Sequence, residues 1–225
     1  ESYALQDNLK IDKPSIYEKY FPMAVEGRYI TLDVSSDDES NKYSHWDMVL
    51  DYMSPYLKEK NITVVQLGNK DDKQVAGCYI AVGQTDNNQK AYVIKNSALH
   101  VTTNNLSLQL ASSYDKKIVT LFSNSFYEQF KPYWSKSEDV TVLTANRSKP
   151  TFNGNEQPKT IDTIRPEKIA ECILQNLGKP HSFAFKTLKV GSLYKSRRIE
   201  SSLSNPISDI DKLGIETLIV RADYQ

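Results

Sequence analysis

Hydrophobic and polar positions follow two rhythms along this chain, and the changes between them mark its elements. Tyr29 to Val34, YITLDV, alternates residue by residue, as a half-buried strand does. Ile62 to Leu67, ITVVQL, is a nearly continuous apolar run, expected of a strand buried on both faces of a parallel sheet. Cys78 to Val82, Ala98 to Thr103, Lys117 to Phe122 and Val140 to Thr144 read as four further strands. Between them the spacing becomes helical. Trp46, Val49, Leu50, Met53 and Leu57 share one face, and so do Ile169, Ala170, Ile173, Leu174 and Leu177.

The helix ends carry their own signals. Ser44, with Asp47 three residues on, predicts a capped start, while Pro55 predicts a kink or an early stop. Thr85 or Asp86 opens a helix bearing Ala91, Val93 and Ile94, and the Asn104-Asn105 turn opens another that ends near Tyr114. Pro166 begins the last helix and Gly178 stops it, with Pro180 beyond. Strands and helices thus alternate from 29 to 178, which predicts an α/β fold with a three-layer, Rossmann-like parallel sheet over 29–180. Residues 1–28 read as an N-terminal arm: YALQDNLKI suits a short helix, whereas Pro14, Pro22 and the Tyr17, Tyr20, Phe21 cluster suit an extended segment packed on the domain. From 181 to 225 the strand-like pieces FAFKTLKV and IETLIVRADY flank a loop with Lys195, Arg197 and Arg198, as expected at the start of a second, incomplete domain. The first residue is Glu1 rather than Met, so further sequence is expected upstream.

Composition narrows the function classes. Lys plus Arg equals Asp plus Glu, 28 each, which gives no electrostatic case for nucleic acid or an anionic membrane as partner. A small molecule or a protein is the expected partner. Cys78 and Cys172 are far apart, one on a predicted strand and one on a helix face, which argues against a disulfide framework or a zinc site and suits the cytoplasm. No apolar run approaches the roughly 18–20 residues of a membrane span. There is no GxGxxG, P-loop, HExxH or nucleophile elbow, so neither a cofactor nor a metal is expected.

The chemistry is expected where Val82 to Ala111 forms a β-α-β-turn-α unit. The turn that leaves a parallel strand and feeds a helix carries free backbone N–H groups and the positive end of the helix dipole, and so receives anions. That places a site at Asn104, Asn105 and Ser107. The ten-residue loop SSDDESNKYS after the first strand is either a functional loop or simply solvated. His100, inside a predicted strand, reads as a packed histidine rather than a base. His45 and His181 show no relation to it.

From Gly83-x-Thr85 through AYVIKNSALHV, LSLQLAS, IVTLFSNS and KPYW, the order of residues resembles the donor-binding domain of the ADP-heptose:lipopolysaccharide heptosyltransferases, which have the two-domain GT-B fold. The likeness covers about residues 29–178. The family's Asp-Thr-Gly turn and following His-Leu-Ala segment hold the nucleotide-sugar. Here Asn104, Asn105 and Leu106 stand at the turn and Gln109 at the His, while Leu110 and Ala111 match. The family's Phe-Gly-Pro-Thr appears as Phe122-Ser123-Asn124-Ser125, and its Gly-Pro-Tyr as Lys131-Pro132-Tyr133. The resemblance implies donor contacts from Asn104, Asn105, Ser107, Gln109, Ser123, Asn124, Ser125, Lys42 and Thr85, with Asp71 or Asp72 near the nucleoside. Lys42 either faces the donor phosphates or is a solvated loop lysine.

The substitutions change the chemistry. Asn104 removes a carboxylate, Leu106 puts a side chain where backbone could approach phosphate, and Gln109 cannot be protonated. No catalytic base is identifiable. Two functions follow as expectations. One is a glycosyltransferase-like domain that binds a nucleotide-sugar and transfers a hexose or heptose to a glycan or saccharide when a second domain or partner protein supplies the acceptor site. The other is a catalytically inactive binding module for nucleotide, glycan or protein. Phe126, Tyr127, Phe130, Tyr133 and Trp134 either stack on sugar rings or nucleobases, plug a cleft against a second domain, or pack in the core.

Overall fold

A computed structural model describes residues 12–187. The strand-forming runs make a six-stranded, wholly parallel sheet in the order β3-β2-β1-β4-β5-β6. The strands are β1 (Arg28–Asp33), β2 (Ile62–Leu67), β3 (Tyr79–Ile80), β4 (His100–Thr103), β5 (Ile118–Phe122) and β6 (Val140–Thr144). The chain lays down β1, β2 and β3 in one direction, then returns to place β4 on the other side of β1. Neighbouring connections therefore diverge between β1 and β4, leaving a crevice at their carboxyl ends where α/β proteins bind ligands.

The helices cover both faces, completing the three layers expected. On one face, α1 (Trp46–Glu59) packs against α5 (Pro166–Asn176) over Ile30, Leu32, Val64, Val101, Val119 and Leu121. The five apolar residues of α1 named from its spacing are all buried. Each contributes on the order of 1.5–3 kcal/mol. On the other face, α2 (Asn87–Lys95) packs against α3 (Leu106–Ser113) over Tyr29, Val65, Leu67, Ile118 and Phe122. This second face is unusual in its inward polar positions: Thr31, Asp33, His100, Thr102 and Thr120 are all buried. The polar seam lies below the crevice.

Several local readings need correction. The residue preceding α1 is His45, without a side-chain cap, and the Ser44 N–H instead donates to Asp162 Oδ1 at 2.9 Å. Asp47, freed from any capping role, pairs with Lys73 at 2.7 Å. Pro55 does not end α1, which continues to Glu59. It sits on the exposed side, where the carbonyl deprived of its N–H belongs to exposed Asp51 and can be hydrated. The Cys78–Val82 strand shrinks to Tyr79–Ile80, because only these residues pair with β2 at the sheet edge. Within Phe126 to Trp134, Tyr127–Phe130 forms one helical turn, α4.

Where two openings were available to α2, Asp86 takes the cap. It accepts from the Gln89 N–H at 2.8 Å while Gln89 returns a bond to the Asp86 N–H at 3.0 Å. The arm forms no helix or strand over residues 12–27. Phe21 enters the core, the Lys19 N–H donates to Asn88 O at 3.2 Å, and Lys95 pairs with Glu18 at 2.7 Å along α2. At the other end, residues 183–187 form no strand, and Phe183 and Phe185 stack on Tyr52 of α1. The helix suggested within 3–11 and the strand-like pieces beyond 187 lie outside the described residues. Among the described residues no helix is long and apolar enough to cross a membrane, and Cys78 and Cys172 are free.

Candidate functional site at the carboxyl edge of the sheet

The corner between β4 and α3 is built by one side chain. Asn105 caps α3: its Oδ1 accepts from the Leu108 N–H at 3.3 Å, the Ser107 hydroxyl at 2.7 Å and the Thr102 hydroxyl at 3.0 Å. Its Nδ2 donates to Ser35 O at 2.8 Å, tying the corner to the end of β1 across the crevice. The cap leaves the first two N–H groups of α3, those of Leu106 and Ser107, without partners in the helix. Asn104 Nδ2 donates to the Ser125 hydroxyl at 3.2 Å, joining the corner to the end of β5.

Beneath the corner, hydrogen bonds join the residues of the seam except Thr120, whose buried hydroxyl has no partner among the described residues. His100 Nδ1 meets the Thr31 hydroxyl and Nε2 the Ser107 hydroxyl, each at 2.9 Å. Burial drives its pKa down from 6.5 to about 4, so the ring is neutral near pH 7. It is a packed histidine, as its position in β4 suggested. Asp33, fully buried at the end of β1, accepts from the Ser35 N–H at 2.9 Å and hydroxyl at 2.6 Å, with Lys90 Nζ 3.8 Å from its other oxygen. Asp33 thereby holds the Ser35 carbonyl that receives Asn105.

On the far side, the segment 145–163 is a strap tied down by hydrogen bonds. Glu156 and Arg147 form a buried pair at 2.7 Å, and Arg147 also donates to Ser123 O at 3.2 Å. Burial would raise the Glu156 carboxyl, but hydrogen bonds from Thr151, Arg147 and Thr160 hold it below its ordinary value. The Glu156 N–H donates to the Ser40 hydroxyl at 2.7 Å, and that hydroxyl donates to Asn153 O at 2.7 Å. Asn124 donates to Asp38 Oδ2 at 3.1 Å and accepts from the Phe152 N–H at 2.8 Å through its carbonyl. The loop after β1 is accordingly packed: Ser35, Ser36, Ser40 and Asn41 are buried.

The residues named from sequence fall into three groups. Asn104, Asn105, Ser107, Ser123, Asn124 and Ser125 come together along the ends of β4 and β5. Lys42 lies with Asp72 in a cavity of about 60 Å³ at the ends of β1 and β2, walled by Tyr43 and Trp46. Glu39, 2.9 Å from Lys42, raises its pKa. Gln109 stands on α3, where its Nε2 donates to Phe130 O and Lys131 O, each at 3.2 Å, and its Oε1 accepts from the Tyr133 N–H at 3.4 Å. Thr85 is remote. It follows β3, three strand positions from β4, a span of about 14 Å at usual spacing. Among the described residues, no three or more His, Cys, Asp or Glu are grouped to hold a metal ion. Of the loop aromatics, Phe126, Phe130 and Tyr133 are exposed, and Tyr127 packs edge-on against Phe122 at 5.3 Å.

No protein-family model matches the sequence, and no curated protein sequence matches it significantly. Solved structures do. A family 9 glycosyl transferase from Veillonella parvula aligns with a TM-score of 0.53 at 16% identity, over 69% of this chain and 47% of that one. Escherichia coli ADP-heptose LPS heptosyltransferase II aligns at 0.51 and 17% identity, over 78% and 50%. The heptosyltransferase TibC of enterotoxigenic E. coli, in complex with ADP-D-β-D-heptose, aligns at 0.53 and 12% identity, over 70% and 47%. This chain has the fold of part of a heptosyltransferase-like glycosyltransferase. It spans about half the length of the structures it matches. At these identities the likeness speaks for fold alone, and the fold is the Rossmann-like one that the resemblance of residues 29–178 implied.

Asp33, Lys90, Arg147 and Glu156 are the site residues that sequence reasoning missed. No local pattern announces them. A carboxylate at the end of a predicted strand, as Asp33 is, was the one available sign.

Proposed function

We propose that this chain is the nucleotide-sugar-binding part of a glycosyltransferase-like protein, with the donor lying along the carboxyl edge of the sheet. Its nucleoside would rest over the Lys42–Asp72 cavity, and its diphosphate would meet the Leu106 and Ser107 N–H groups. The observation that carries this is the β4–α3 corner, bonded through Asn105 to the end of β1 beside the point where the strand order diverges. The cavity, about 60 Å³, is well below the roughly 150 Å³ that encloses a benzene, so the nucleoside lies over it rather than within it. Asn105 acts as the pillar of the site, since its amide is committed to four internal bonds, while Asn104, Ser125 and Lys42 face the donor. Transfer of a hexose or heptose then requires a second domain or partner protein to bring a glycan or saccharide acceptor and a base.

A specific observation favours a second reading, a binding module without chemistry. Leu106 is 57% exposed at the first turn of α3, beside the N–H groups a diphosphate would approach, and the Gln109 amide is occupied by the loop carbonyls.

Thermal-shift screening of the full chain against ADP, UDP, GDP and CDP and their sugar conjugates separates these. A ligand at ~100 times its dissociation constant adds about 2.7 kcal/mol of stability. A shift with one nucleotide that Lys42→Ala weakens, and that Leu106→Gly with Asn104→Asp strengthens, supports the donor site. No shift with any nucleotide in a folded chain transfers the conclusion to the binding module.

A further inference from the structure

Phe126 and Phe152 sit above the ends of β5 and the strap, with ring centroids 5.9 Å apart and planes tilted by 59°. They are 48% and 56% exposed, and neither belongs to the hydrophobic core on either side of the sheet. Phe152 also holds a backbone φ of +55°. A bulky side chain in this left-handed region costs on the order of 1–3 kcal/mol. Core packing offers no return for that strain, because the ring faces solvent. The strain is imposed by anchors on either side: the Phe152 N–H on Asn124 O, and Asn153 O on the Ser40 hydroxyl.

The polar groups that anchor the two phenylalanines are neutral or acidic. Ser125 precedes Phe126 and is bonded to Asn104. Asp38 lies against the strap so closely that a Cβ added at Gly154 would fall 2.7 Å from its Oδ1. Of the three cations on the strap, Arg147 is turned inward onto Glu156 and Lys159 donates to the Lys42 carbonyl, leaving the exposed Lys149. A carboxylate beside the rings repels phosphate but accepts bonds from paired hydroxyls, and two preordered aromatic faces suit an apolar ring surface.

We propose that the Phe126–Phe152 pair is a platform for a neutral saccharide ring, whose C–H face lies on the aromatics and whose hydroxyls reach Asp38, Ser125 and Asn104. This deepens the glycosyltransferase-like reading by adding a glycan subsite, but it stands on the aromatic pair and does not require nucleotide binding.

Saturation-transfer difference NMR on the full chain, with the methyl glycosides of glucose, galactose and mannose and with maltotriose as probes and no nucleotide present, tests it. At least one sugar should receive saturation on its ring protons, and the signal should fall to background in Phe152→Gly, which tolerates the same φ, and in Phe126→Ala. Phe152→Tyr should retain it. Circular dichroism melts of each variant check that the fold persists. No transfer to any of these sugars, or transfer undiminished in folded Phe152→Gly and Phe126→Ala, overturns the proposal. So does a sedimentation profile in which copies of the wild-type chain associate and Phe152→Gly separates them, because the rings would then serve self-association.

Discussion

His100 is the residue whose environment has the clearest measurable consequence. Folding places a titratable ring between two hydroxyls in full burial, and burial lowers its pKa from 6.5 to about 4. Between those values the unfolded chain binds the proton and the folded chain does not. Stability is therefore complete above pH 6.5 and is lost as pH falls toward 4, by about 3 kcal/mol. Urea unfolding of the wild type against His100→Gln over this range should show the extra pH slope only in the wild type. A second consequence concerns Gly83, which has φ +68° and a backbone so close to Lys70 that an added Cβ would lie 2.7 Å from its Cα. Gly83→Ala meets both the positive φ and backbone that cannot step aside, and should cost about 1–3 kcal/mol by urea titration. Little of this is visible in a sequence. His100 was legible as packed because it interrupts an apolar strand. Its partners Thr31 and Ser107 come from separate elements: the β1–β4 pairing sets Thr31 opposite it, and the turn after β4 folds Ser107 back onto it.

At the scale of elements, the strands and helices were legible because burial imposes periodicity; the apolar residues read for α1 and α5 are all buried, with Leu177 just past the end of α5. The strand–turn–helix corner was legible for a similar reason: an Asn at the end of a strand and the start of an amphipathic run has few alternatives to capping. The strap was not. Its order rests on Glu156 reaching Ser40, 116 residues away, and on Arg147 reaching Ser123, and no spacing rule spans such distances. Glu156→Gln keeps the side-chain volume but removes the charge facing Arg147, and should destabilise by about 1–3 kcal/mol. Hydrogen exchange should locate the effect. The N–H groups of Phe152 and Ser40, which donate to Asn124 O and Gly154 O, should exchange faster in the variant, while those paired between β4 and β5 keep their protection.

For the whole molecule, the sheet order β3-β2-β1-β4-β5-β6 brings Ser35, Lys42, Asp72, Asn104 and Ser125 to one edge from four separate connections. The chain accounts for about half of the glycosyltransferase structures it matches, so its edge is proposed as the donor side of a larger active site. Neutral overall charge agrees with recognition by placed groups and a helix end rather than by a broad field. The most direct measurement is a map of backbone amide shifts in the isotope-labelled full chain as ADP is titrated in. Binding at the carboxyl edge predicts saturable shifts concentrated at residues 35–42, 69–73, 104–107 and 123–125, with Leu106 and Ser107 among the largest. Shifts confined to the outer faces of α1 or α5, or a folded chain whose edge amides do not move with ADP or the other nucleoside diphosphates, would contradict a donor site there.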